Sequence, residues 1–179
     1  MQSMITLEPI RHSEIDEVGN LARAIWREHF VKIISAAQIE HMLVGRYTEA
    51  DLAPHIGGAD RWFDVLRVAG EASGFLRCLR TSADELKIEQ IYLTKAQRGK
   101  GLGTLMLAHA EARARELGCR SMVLLVNRRN DDAIRAYRQS GFVVKEEQLV
   151  DIGNGFVMDD YLMQKTLSAI SGGGDEMGE

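Results

Sequence analysis

The chain has 179 residues, of which 45% are hydrophobic and 27% are charged, and its formal net charge is −4. This length and composition are typical of one ordinary soluble globular domain. The acidic balance argues against a nucleic-acid partner, because a phosphate backbone selects clustered Lys and Arg. The two cysteines, Cys78 and Cys119, form no CxxC pair, so the sequence predicts neither a metal site nor a redox motif and favours buried, apolar cysteines.

The N-terminal region has alternating residues rather than a basic stretch followed by an apolar segment. No signal peptide is therefore predicted, and no run approaches the roughly 20 apolar residues that a membrane span needs. We expect a cytoplasmic protein without a membrane partner. Residues 5–10 alternate as a strand, and Pro9 marks that strand as an edge.

Helical periodicity follows the first strand. Apolar residues recur at spacings of three and four from Ile15 to Phe30, which predicts an amphipathic helix that starts near Ser13. A second helix is predicted over 35–47. A third, short helix is predicted over 48–56, and glycines follow it.

Strand periodicity then takes over, with helices between the later strands. We predict strands over 62–68, 73–81, 86–93 and 121–126, the last of them buried on both faces, and a terminal hairpin over 142–166. Helices are predicted after a glycine-rich loop, from Leu102 to Leu117, and over 130–139. The order predicts a mixed α/β (α+β) single domain around one sheet of about seven strands, with a disordered tail over 168–179.

The glycine-rich loop is the most informative segment. Gly99, Gly101 and Gly103 alternate between a strand and a helix, so backbone N–H groups and the helix N-terminus can converge on a phosphate, which Arg98 and Lys100 can help to neutralise. Two other phosphate loops do not match. GxGxxG would need glycine at position 104 and a parallel βαβ unit, which we do not expect here, and GxxxxGK[ST] has no counterpart. Without further context, a flexible turn before a helix remains an alternative.

Two groups of residues supply that context. Arg98, Gly101 and Gly103 follow a strand in the order Arg/Gln-x-x-Gly-x-Gly/Ala, and a second block further on fills its fixed positions with Asn127, Asn130, Ala133, Tyr137, Gly141 and Phe142. Together they resemble the GNAT superfamily of N-acetyltransferases, over roughly residues 60–167. Within it, the stretches 26–56, 88–93 and 160–167 are most similar to bacterial spermidine/spermine-type (polyamine) acetyltransferases.

The resemblance implies a GNAT-like, mostly antiparallel seven-stranded sheet within residues 1–167. Its strands 89–93 and 123–126 splay apart in a V, and acetyl-CoA is the co-substrate. The backbone of Ile91 and Leu93 would pair with the pantetheine amides, and the N–H of Leu93 would polarise the thioester. The residues that we expect to bind the cofactor are Ile91, Tyr92, Leu93, Arg98, Gly99, Lys100, Gly101, Leu102, Gly103, Thr104, Asn130 and Arg138.

The resemblance also implies direct transfer to an amine, with Tyr137 as the general acid. A phenol has a pKa close enough to that of a thiol to protonate the leaving thiolate, although a tyrosine that fills the helix–sheet groove is an alternative. Glu89 is the candidate to accept the amine proton, with Glu85 in reserve, and a solvated strand carboxylate is its alternative. The five histidines match no triad spacing, and we expect most of them at the surface.

The acceptor is predicted to be a polyamine first, with a peptide N-terminal amine or an amino-acid-like metabolite as the alternative. Acidic residues could attract such a cation, but charged residues usually only solvate a surface; those considered are Glu49, Asp51, Asp159 and Asp160. Two other function classes stay open, an acyl-CoA-binding module without turnover and an adaptor that uses the helices over 13–56. A homodimer is also left open.

Overall fold

One seven-stranded sheet organises residues 4–169, which the computed structural model describes. The strand order is β1-β2-β3-β4-β5-β7-β6, and all neighbours are antiparallel except the parallel pair β4–β5. The strands are β1 Ile5–Pro9, β2 Arg61–Val68, β3 Glu71–Ser82, β4 Glu85–Leu93, β5 Ser121–Asn127, β6 Val143–Gly153 and β7 Phe156–Thr166. The helices are α1 Ile15–Phe30, α2 Ala36–Leu43, α3 Glu49–Leu52, α4 Leu102–Glu116 and α5 Asp131–Gln139. The predicted single domain with one mixed, mostly antiparallel sheet is confirmed.

The helices flank two cores, one on each face of the sheet. The first core packs α4 and α5 against the central strands around buried Leu86, Met106 and Met163. The second core packs α1, α2 and α3 against the opposite face, around buried Trp26, Leu43 and Leu52. The α1 prediction is confirmed by its buried stripe, since its inward residues recur at helical spacing.

Two predicted helix boundaries need correction. A 3-10 turn, His12–Glu14, precedes α1, and there the backbone N–H of Arg11 donates to Oε2 of Glu14 at 2.9 Å, so the predicted start near Ser13 is a turn. The second helix begins as predicted, because the Ser35 side chain caps it by accepting from the N–H of Gln38. It stops at Leu43 instead of 47, and Gly45 follows with a φ of 72°.

The strands β4 and β5 form the wedge that positions the site. They pair only from Glu85 to Ile88 with Ser121 to Leu124, although both continue further, to Leu93 and Asn127. The predicted V is therefore confirmed, although on β5 it opens after Leu124 rather than at Val123. The expectation that no parallel βαβ unit surrounds the glycine loop is wrong, because β4, α4 and β5 form one; parallel pairing across a crossover helix leaves no local signal as clear as a hairpin turn.

Glu89 is an extra residue in β4 relative to β3, a β-bulge. Before the bulge, Leu86 and Ile88 reach the first core, and after it Ile91 does so. Strict alternation would instead have put Gln90 on that face. The bulge therefore turns Gln90 toward the opposite side of the sheet.

The cysteines and the histidines of residues 4–169 differ in how well they match the sequence predictions. Cys78 and Cys119 are both buried, as expected. The expectation that most histidines lie at the surface is wrong, because His55 is buried and His29, His41 and His109 are half-buried. No helix in this part of the chain has the length and apolar character to cross a membrane. The tail predicted as disordered lies outside the described residues from position 170 onward.

Candidate active site

Two adjoining cavities occupy the wedge between β4 and β5. The loop cavity, of about 390 Å³, is lined by the glycine loop, the end of β4 and α5. The polar cavity, of about 460 Å³, is lined by β4, β5, β7 and the N-terminal helices. Tyr92, Asn130 and Tyr137 line both cavities, so a ligand in one can meet a ligand in the other at these side chains.

The backbone of the glycine loop has the shape of an anion cradle. Gly99 and Gly101 have φ values of 74° and 78°, in the left-handed region that favours glycine. Gly101 directly precedes α4, whose first N–H groups lack partners inside the helix and carry a partial positive charge. A Cβ built at Gly99, Gly101 or Gly103 would meet nothing within 4 Å. The space in front of these glycines is therefore open to a diphosphate, which the residues present fit.

Most of the predicted cofactor residues lie together, and three do not. The loop cavity is lined by Ile91, Tyr92, Leu93, Arg98, Gly99, Gly101, Gly103, Thr104 and Asn130. Lys100 is exposed, and its ammonium donates to Gln97 at 3.2 Å. Leu102 is 5% exposed and belongs to the first core, so only its backbone can serve a ligand. Arg138 is exposed on α5 and does not line the cavity.

The open edge of β4 supplies backbone groups to the loop cavity. The N–H of Thr94 donates to the carbonyl of Ser73 in β3 at 2.9 Å. Because successive residues of a strand point their backbone groups to opposite sides, the N–H of Leu93 points away from β3 into the wedge. Its carbonyl lies on the same side and accepts from Nε of Arg98 at 3.2 Å.

Tyr137 stands where the two cavities meet. Its ring packs on the first core and lies 6.0 Å from that of Phe142, edge to face. Burial raises the pKa of its phenol, so the hydroxyl is protonated at neutral pH. No hydrogen bond to this hydroxyl occurs among residues 4–169, which leaves it free to contact a ligand. The side chain thus fills the groove and also faces both cavities.

Asn130 caps α5 and also lines both cavities. Its side-chain oxygen caps α5 by accepting from the N–H of Ala133 at 3.4 Å. Its amide nitrogen lies 3.3 Å from Nε2 of His29. Burial, with a smaller contribution from Arg98, lowers the pKa of His29, so the neutral ring can accept this bond. Sequence reasoning missed His29, which lines the loop cavity; its place beside Phe30 in the helical pattern gave no sign of this.

Glu89 lines the polar cavity, but it already has a cationic partner. Its Oε2 lies 3.2 Å from Nε of Arg77, and its side chain is 30% exposed. Arg77 also donates two hydrogen bonds to Asp51, at 3.0 and 2.8 Å. Glu89, the candidate proton acceptor, therefore shares the guanidinium of Arg77 with Asp51.

Asp160 is the carboxylate of the polar cavity that has no such partner. It is 4% exposed, and within the described residues its Oδ1 has no hydrogen-bond partner. Burial, reinforced by Asp159 and opposed by Lys87, raises the pKa of Asp160 to about 6. Gln90, at 5% exposure, likewise has no partner for either polar atom of its side chain. Sequence reasoning assigned Asp160 only a general role in attracting cations, because its burial depends on how β7 packs.

Charges of both signs line the polar cavity. Carboxylates are present at Asp51, Glu89 and Asp160, and cations at Arg46, Arg77 and Lys87. Among residues 4–169 there is no cluster of three His, Cys, Asp or Glu that could hold a metal ion.

Comparisons with known proteins place this geometry in context. The profile of the acetyltransferase (GNAT) family matches residues 22–142. An N-acetyltransferase from the pepI 3′ region of Lactobacillus delbrueckii subsp. lactis is 25% identical over 170 residues, which cover 91% of this chain and 98% of that protein. Streptothricin acetyltransferase of Streptomyces lavendulae is 36% identical over 83 residues, 46% of this chain and 44% of the relative.

The fold also resembles a solved structure. The PaiA N-acetyltransferase of Thermoplasma acidophilum, in complex with coenzyme A, superposes with a TM-score of 0.78 at 20% identity, over 92% of this chain and 99% of that one. This likeness supports the fold. The relatives named here do not single out the polyamine-type acetyltransferases.

Proposed function

The chain belongs to the acetyltransferase (GNAT) family and is an acetyl-CoA-dependent N-acetyltransferase, and we propose that its acceptor is a primary amine held in the polar cavity. The observation that carries the proposal is the meeting of the two cavities at Tyr137. A thioester in the loop cavity and an amine in the polar cavity would approach each other at one phenol. That arrangement suits direct transfer without a covalent enzyme intermediate.

The loop cavity supplies the contacts that the donor substrate needs. The loop N–H groups and the start of α4 would hold the diphosphate, and the open edge of β4 at Ile91 and Leu93 would pair with the pantetheine amides as an added strand does. The N–H of Leu93, directed into the wedge, would stabilise the negative charge that develops on the thioester oxygen.

Tyr137 is the proposed general acid. Its protonated phenol can give a proton to the thiolate as the C–S bond breaks. Because burial also makes the phenol a weaker acid, this proton transfer should accompany bond cleavage rather than precede it. Restoring the phenol with a proton from the newly acylated nitrogen would complete the cycle.

Two acceptor classes follow from different observations. The sequence resemblance predicts a polyamine such as spermidine. The mixed lining of the polar cavity, with Arg46 and Lys87 beside its carboxylates, favours an amine that also carries an anionic group, such as an amino acid or a peptide with its N-terminal amine. A long polycation would bring its charges close to these two cations, which costs electrostatic energy.

The test is release of free thiol from acetyl-CoA in the presence of an amine panel. The panel contains putrescine, spermidine, free amino acids and short peptides, each matched by its pre-acetylated form as a control. Thiol release with at least one free amine and none with its acetylated form is the expected result. Tight acetyl-CoA binding without turnover on any amine would favour the alternative of a non-catalytic acyl-CoA-binding module.

A further inference from the structure

We propose that Asp160, rather than Glu89, receives the ammonium group of the acceptor and takes its proton before transfer. The inference rests on the proposed amine acceptor and assigns it a binding partner within the polar cavity. It follows from the position of Asp160, from the buried polar atoms without partners in the same cavity, and from the ion pair that Glu89 already makes.

Asp160 lies at the wide end of the wedge, beyond the last residues of β5 that pair with β4. It is opposite Asn127, the last residue of β5, in the register of β5 and β7. Its side chain lines the polar cavity, which also reaches Tyr137. An amine bound at Asp160 therefore occupies the same cavity as the proposed acid and lies on the side of the wedge across from the glycine loop.

Unpartnered polar atoms show that this wall is built for a ligand. Burying a carboxylate without a counter-charge costs free energy, as does burying an amide without hydrogen bonds. Asp160 and Gln90 are each more than nine-tenths buried, and both leave polar atoms without a partner within the described residues. An ammonium group bound in this cavity supplies a positive charge to Asp160, and a further N–H group of the ligand can donate to the side-chain oxygen of Gln90.

Glu89 has less to gain from the same ligand. Arg77 lies 3.2 Å from it and is itself held by two hydrogen bonds from its guanidinium to Asp51. We infer that Glu89 helps to fix Arg77 and the shape of the cavity. Asp160 keeps its charge free for the substrate.

The proton balance suits an α-amine. The ammonium gives one proton to the Asp160 carboxylate, the neutral nitrogen attacks the thioester carbon, and the C–S bond breaks as Tyr137 protonates the sulfur. The nitrogen's second proton restores Tyr137, and Asp160 releases its proton to solvent. An α-amino group has a pKa of about 8 and an alkylamine about 10.4. With the pKa of Asp160 raised to about 6, the first proton transfer is uphill by about 2 units for the α-amine and about 4 for the alkylamine.

The pH profile depends on the charged groups that face Asp160. Lys87 and Tyr92 approach it from β4, Asp159 is its neighbour on β7, and Tyr137 belongs to α5. The remaining charged groups of the cavity are Arg46, Asp51, Arg77 and Glu89. Since Asp160 must be ionised to take the proton, kcat/KM for the amine should fall as the pH decreases through about 6.

The experiment compares Asp160→Asn, Glu89→Gln and Asp159→Asn with the unmodified protein. Asp159 is the matched control, because it is adjacent in sequence but pairs with Arg128 outside the cavity. For each protein, kcat/KM for the best amine is measured from pH 5 to 9, together with acetyl-CoA affinity and thermal unfolding. We expect Asp160→Asn to lose about 100-fold or more in kcat/KM and the low-pH decline, with its acetyl-CoA affinity and fold intact. Glu89→Gln and Asp159→Asn should keep the decline, and in Asp159→Asn it should lie at lower pH, because the charge of Asp159 helps to raise the pKa of Asp160.

Two outcomes would overturn the inference while leaving the proposed function in place. One is an Asp160→Asn variant that retains the activity and the low-pH decline. The other is a Glu89→Gln variant that alone loses them. If the unmodified protein acetylates no amine, the proposed function fails first and the assignment of Asp160 fails with it.

Discussion

Replacing Asp160 with Asn should stabilise the folded protein at neutral and alkaline pH. Burial raises the pKa of this carboxyl from about 3.8 to about 6, so the folded protein holds the proton more tightly than the unfolded chain does. The stabilisation of the folded state by this tighter proton binding is fully present below about pH 3.8 and is lost as the pH rises through about 6. Above that pH the unmodified protein carries a buried carboxylate, whereas the Asn variant is neutral at every pH.

The size of the effect follows from the shift in pKa. A difference of about 2 units corresponds to about 3 kcal/mol in the free energy of unfolding, at about 1.36 kcal/mol per unit. Much of this loss has already occurred at pH 5, which lies above the pKa of the unfolded chain. Between pH 5 and pH 8 the advantage of Asp160→Asn should therefore grow by about 1 kcal/mol.

Urea unfolding at constant ionic strength, at pH 5 and pH 8, measures this difference. Asp60→Asn is the control for the loss of one aspartate charge, because Asp60 is exposed. Comparing variants at each pH cancels the titration of all other groups. A free-energy difference for Asp160→Asn that does not change with pH would refute the reasoning that Asp160 is buried and unpaired.

Three further predictions test the rest of the site and fold. Gly101→Glu should abolish acetyl-CoA binding in calorimetry, because it strains a left-handed residue and places a negative charge before the diphosphate. The control Gly118→Glu, at a φ of 74° beyond the other end of α4, should bind acetyl-CoA normally. Unchanged affinity of Gly101→Glu would contradict the assignment of the glycine loop to the diphosphate. Tyr137→Phe should lower turnover about 100-fold with little change in acetyl-CoA affinity, and equal turnover would remove Tyr137 from the mechanism. Arg113→Met should cost about 3–5 kcal/mol in urea unfolding at pH 7, because Asp64, at 0% exposure, loses the guanidinium at 2.6 Å and keeps only the His109 ring at 3.5 Å. Asp64→Leu in the same chain should recover most of the loss.

Local patterns predicted much of this structure. The glycine loop, the start of the second helix at Ser35 and the edge position of Pro9 each depend on a few neighbouring residues, and the structure has all three. The parallel pairing of β4 with β5 depends instead on residues separated by a whole helix, and the sequence did not predict it. The bulge at Glu89 also has no local signature, because any residue type can be the extra one.

The acceptor side of the site was the least predictable for the same reason. Asp160 resembles its neighbour Asp159 in sequence, and only the packing of β7 makes one buried and leaves the other at the rim. Glu89 was selected from its position before the loop, and that reasoning could not include Arg77 on another strand. Burial and pairing of charges are tertiary properties, so residue type alone could not rank these carboxylates.

The bulge at Glu89 makes the pleat of β4 a determinant of specificity. Because the bulge holds one extra residue, Lys87 and Gln90 both face the polar cavity while Ile88 and Ile91 both face the first core. If Glu89 instead paired as an ordinary residue of the strand, Gln90 would turn toward α4 and Ile91 toward the polar cavity. The amine would then face an aliphatic wall, and the hydrophobic layer beneath the sheet would receive an amide. We therefore expect substitutions at Lys87 or Gln90 to diversify which amines are accepted, whereas a change that straightens the bulge would damage selectivity and folding together.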